Sequence, residues 1–75
     1  MPLTDKELTE AREAFIAEYF LSSKFGGHIS EVASENTGDE SRLVVALNKE
    51  FRELPKRIQS ELPTFYRGAW VDYQC

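Results

Sequence analysis

Cysteine is nearly absent from this chain. The single residue, Cys75, stands at the last of 75 positions. One thiol allows no internal disulfide, so a disulfide-stapled secreted scaffold is excluded. A prenylation signal needs its cysteine fourth from the end, which Cys75 is not. Histidine is equally sparse, with His28 alone. One Cys and one His cannot fill the four positions of a closed zinc site. No apolar run approaches the roughly 20 residues of a membrane-spanning helix. No basic stretch followed by an apolar one opens the chain, so no signal peptide is expected and the cytosol is the expected compartment. Repeats and low-complexity segments are also missing.

The composition that remains is that of an ordinary globular domain, 41% hydrophobic and 29% charged, and too apolar for a disordered chain. Its length fits one domain, residues 1–75. The net charge is −4, unevenly spread. Residues 1–40 hold nine acids and three bases; residues 41–75 hold four acids and six bases. An acidic chain repels a nucleic-acid backbone, so nucleic acid is not an expected partner.

Thr4-Asp5-Lys6-Glu7 carries the spacing of a capping box. Leu8, Ala11, Phe15 and Tyr19 follow at intervals of three and four, which predicts an amphipathic helix over about 5–22. Gly26-Gly27 is expected to stop it by permitting positive φ. Residues 28–35 form a weak strand pattern, with His28, Ser30, Val32 and Ser34 expected on one face and Ile29 and Ala33 on the other. Asn36 to Asp39 reads as a turn. Arg42 to Lys49 is a stronger strand with apolar residues on both faces, as in mid-sheet. Pro55 suits the first position of a short helix bearing Leu54, Ile58 and Leu62 on one side, and Pro63 stops it. Gly68 turns the chain into a last strand, Ala69 to Gln74.

The predicted fold is therefore α+β in helix-strand-strand-helix-strand order. A three-stranded mixed sheet is expected, with both helices on one face. A crossover through the second helix makes the second and third strands parallel. The third strand is expected beside the first.

Residues 43–73, with Leu62-Pro63, Gly68 and Val71 following the apolar strand, resemble small bacterial α/β accessory modules found beside trypsin-like peptidase domains. Trp70 departs from the small residue or proline of that pattern. The resemblance implies an accessory domain; none of the matching positions is catalytic.

No catalytic constellation emerges, and no enzyme, cofactor or metal is expected. His28 lacks a nucleophile elbow or triad partners in the sequence. Gly26-Gly27 precedes a strand, not the helix a phosphate loop requires. Asn36, Asp39 and Glu40 lack the ligand spacing of a calcium loop. Bases such as Arg42 and Arg52 approach the C-terminal aromatics, as in single-strand binders, but Glu50, Glu53 and Glu61 interrupt them.

The remaining candidate is the aromatic C-terminal segment, with Phe65, Tyr66, Arg67, Trp70 and Tyr73 as interaction residues. The sheet face away from the helices, bearing Val44, Ala46, Val32 and Trp70, is expected to be apolar and open to another protein or a second copy of the chain. The expected role is a non-enzymatic interaction or accessory module. The alternative is a small acidic inhibitor or antitoxin-like regulator acting through Glu10, Glu13 and Glu18 of the first helix.

Overall fold

The computed structural model describes residues 3–74, so Cys75 and the readings attached to it lie outside the described residues. The class is α+β. Helix α1 spans Asp5–Phe15 and opens with the full capping box. The Thr4 side chain accepts from the Glu7 N–H, and the Glu7 carboxylate accepts from the Thr4 N–H. The buried residues Leu8, Ala11 and Phe15 are the stripe read from the sequence. The helix does not continue in α geometry. A five-residue π turn, Ile16–Phe20, follows, with the Leu21 N–H donating to the Ile16 carbonyl.

Gly26 does not act through positive φ. Among the described glycines only Gly38 and Gly68 have it. Gly26 is instead a point of close approach. A Cβ there would lie 2.6 Å from the carbonyl oxygens of both Phe20 and Ser22.

Strand β1 (Ile29–Thr37) and strand β2 (Glu40–Leu47) form an antiparallel hairpin. Gly38 takes the positive φ that the first position of its two-residue turn requires. A 3₁₀ segment, Lys49–Glu53, buries Phe51. The second helix, α2, is a single turn, Lys56–Gln59, and Pro55 caps it from outside instead of occupying its first position. Strand β3 (Phe65–Tyr66) is a two-residue strand absent from the sequence reading, and it pairs antiparallel with β4 (Ala69–Gln74). Arg67 and Gly68, at φ 50 and 90, make the tight turn between them.

The sheet has four strands, ordered β1-β2-β4-β3, not three. Strands β2 and β4 are parallel, as the crossover predicted. However, β4 lies on the far side of β2, not beside β1. The physical reason is that β2 is the strand with apolar residues on both faces, so burying it centrally, with a neighbour on each edge, hides the most apolar surface.

The core lies on one face of the sheet. Leu43, Val45, Leu47, Ala69 and Val71 point into it and meet Leu8, Phe15 and Phe25. Ile58 and Leu54 pack against the same cluster, and Leu62 is buried in it. Val32 also points into the core, contrary to the sequence reading. An irregularity between Ile29 and Glu31 sets three residues of β1 against two of β2, so Ile29 and Val32 share the core face. The only buried polar residue described, Ser41, accepts from the Leu3 N–H at 2.6 Å and donates to Asn36 Oδ1 at 2.6 Å. Asn36 in turn donates to the Leu3 carbonyl and to Asp5, which ties the start of α1 to the hairpin.

Candidate functional site

Alternation along β4 divides the aromatic segment. Ala69, Val71 and Tyr73 face the core, and Trp70, Asp72 and Gln74 face away. Pairing of β3 with β4 sets Phe65 opposite Trp70 and Tyr66 opposite Ala69. The five candidate residues therefore do not form one cluster.

Tyr66 and Tyr73 belong to the core side. The Tyr66 ring meets Phe15 edge-on at 5.4 Å and Tyr19 at 6.1 Å. Its hydroxyl donates to Glu18 at 2.6 Å, joining the π turn to β3. Burial, then the Glu18 hydrogen bond, raise the Tyr66 pKa, and Arg67 opposes them. Tyr73 donates to the Pro63 carbonyl, and burial pushes its phenol far above the ordinary value. Arg67 sits at the turn with its guanidinium 5.7 Å from the Tyr66 ring centroid.

Phe65 and Trp70 are the pair left outside. Their rings meet edge-on at 4.9 Å, and they remain 53% and 50% exposed. Register extends this pair into a row across all four strands: Phe65, Trp70, Arg42, Glu35. Asp72, Val44 and Ala33 form the next row. Arg42 bonds Glu40 at 3.0 Å and Asp72 at 3.1 Å, and so occupies the middle of the face. A shallow depression lies beside it, lined by Glu40, Arg42, Thr64, Trp70, Val71 and Asp72.

The open face is thus less apolar than the sequence implied. Val44 and Ala46 are half-buried, and Val32 is on the other side. Glu35, Glu40 and Arg42 were not singled out as part of this surface. The signal for Arg42 was its parity with Val44 and Ala46 in the strand.

The other candidates are scattered. His28 begins β1's approach, its ring 6.4 Å from Phe51 and its Nδ1 buried without a partner among the described residues. Glu10 and Glu13 are exposed on α1, and Glu13 lies 3.6 Å from Arg12. Among the described residues, no cluster of three His, Cys, Asp or Glu side chains is arranged to hold a metal ion, and no helix is long and apolar enough to cross a membrane. No protein-family model, curated protein or solved structure matches the chain.

Proposed function

We propose that this protein is a non-enzymatic interaction module that binds another protein through its open sheet face. The observation that carries this reading is the exposed Phe65–Trp70 pair. Two large rings, both about half exposed and already in contact with each other, present an apolar surface. Aromatic anchors of this kind are enriched where proteins bind each other, because they contribute much contact area while losing little conformational freedom. The neighbouring depression is open and shallow, unlike the enclosed concavity that small-molecule chemistry uses.

The test is in-cell photo-crosslinking with a photoreactive phenylalanine analogue at Phe65 and, as the opposing case, at Glu10 on α1. Discrete adducts with another protein from position 65, diminished by Trp70→Ala, are the expected result. Adducts from position 10 alone would instead favour an acidic inhibitor working through α1, and would sink the sheet-face reading.

A further inference from the structure

From the charges around the aromatic pair, and resting on the interaction reading above, we infer that the occupant of the open face is a basic, arginine- or lysine-bearing segment of another protein, not the same face of a second copy. Among the described residues, Glu31, Glu35, Glu40 and Asp72 share this face with a single cation, Arg42. That cation is already shared between Glu40 and Asp72. Glu31 and Glu35, on the edge strand β1, form no ion pair among the described residues, although Glu35 stands across from Arg42, and they flank the exposed Ala33.

Two copies placed face to face would set one excess of negative charge against another. Glu31 and Glu35 would then lose water without gaining a counter-charge, which is costly. A nucleic acid or an anionic membrane would be repelled for the same reason. A segment carrying cations meets the acids of β1 and places an apolar or guanidinium group against the rings of Trp70 and Phe65, where a cation over an aromatic face is also favoured. The arrangement is an apolar patch at one side of the sheet and unpaired acids at the other, about three strand spacings apart, or roughly 14 Å. An extended basic segment crossing the strands spans that distance in about five residues.

Trp70 is the sole tryptophan, so its fluorescence reports on this face directly. The experiment titrates the full chain with a short synthetic peptide alternating arginine and leucine, with its glutamate–leucine counterpart, and with the chain itself by sedimentation. The expected result is a saturable change in Trp70 emission with the arginine peptide only. Affinity should fall about tenfold in Glu31→Gln/Glu35→Gln, and should weaken as salt rises from about 50 to 500 mM. An equal response to the glutamate peptide, an affinity unmoved by the double variant, or a dimer abolished by Trp70→Ala would each overturn the inference. Phe65 adducts combined with a silent arginine peptide would remove only the charge assignment, whereas absence of adducts would remove the interaction reading itself.

Discussion

Gly26 and Gly27 are adjacent in sequence and unlike in consequence. A methyl group at Gly26 would press on two backbone carbonyls, and backbone cannot step aside as a flexible side chain can. At Gly27 nothing lies within 4 Å and φ is not positive. Gly26→Ala should therefore lower stability by about 1–3 kcal/mol, while Gly27→Ala should be neutral or slightly stabilising. Urea unfolding midpoints of the two variants check this. Arg67 illustrates the converse case. It is the one described non-glycine residue in the left-handed region. Asparagine tolerates that region better, so Arg67→Asn should raise stability by about 0.5 kcal/mol, even after losing the contact with the Tyr66 ring.

At the scale of elements, the two ends of the pH range probe different parts of the fold. The Glu7 carboxylate is held below its ordinary pKa by the hydrogen bonds from Thr4 at the start of α1. Its stabilising effect is present above the unfolded pKa and is lost as pH falls through the lower folded one. Glu7→Gln should therefore flatten the acid limb of a stability profile while leaving the alkaline limb unchanged. The tyrosines act in the opposite sense. Tyr19, Tyr66 and Tyr73 are all raised, in each case chiefly by burial. Their stabilising effect is complete below the unfolded phenol pKa, and it is lost as pH rises toward the folded values. Unfolding midpoints should fall above about pH 10, and Tyr73→Phe should make that fall shallower than in the unaltered protein. Removing the hydroxyl also removes its bond to Pro63, at a cost of about 1 kcal/mol near neutrality.

For the whole molecule, the sheet separates residues that hold the fold from residues left available. Phe15 and Leu43 are fully buried in the core that α1 closes. Phe15→Ala should cost about 3–5 kcal/mol, enough to unfold a large fraction of so small a domain at moderate temperature. Phe65→Ala and Trp70→Ala remove rings at least as large from the other face. They should shift stability by only about 0.5 kcal/mol. Thermal melts of the three variants, followed by far-ultraviolet circular dichroism, check the contrast. A large loss in Trp70→Ala would mean that the ring supports the sheet and is not held free for a partner.

Local patterns in the chain determined its local structure: the capping box from Thr4 to Glu7, the stripe Leu8–Ala11–Phe15, the apolar run of β2 and the alternation of β4. Each depends on periodicity or sterics within a few residues, which sequence states directly, and the handedness of the crossover between β2 and β4 set those strands parallel. Tertiary structure alone decided three matters. It seated β4 on the far edge of β2, since the choice of neighbour depends on total buried area. It turned Val32 inward through a one-residue irregularity that pattern alone does not locate. It also divided Phe65 from Tyr66, sending Tyr66 to the core side and Phe65 to the open face, a split that the alternation separating Tyr73 from Trp70 along β4 does not reach. That last division required the two-residue strand β3, which is too short to leave a periodic signal and is recognisable only by its pairing with β4.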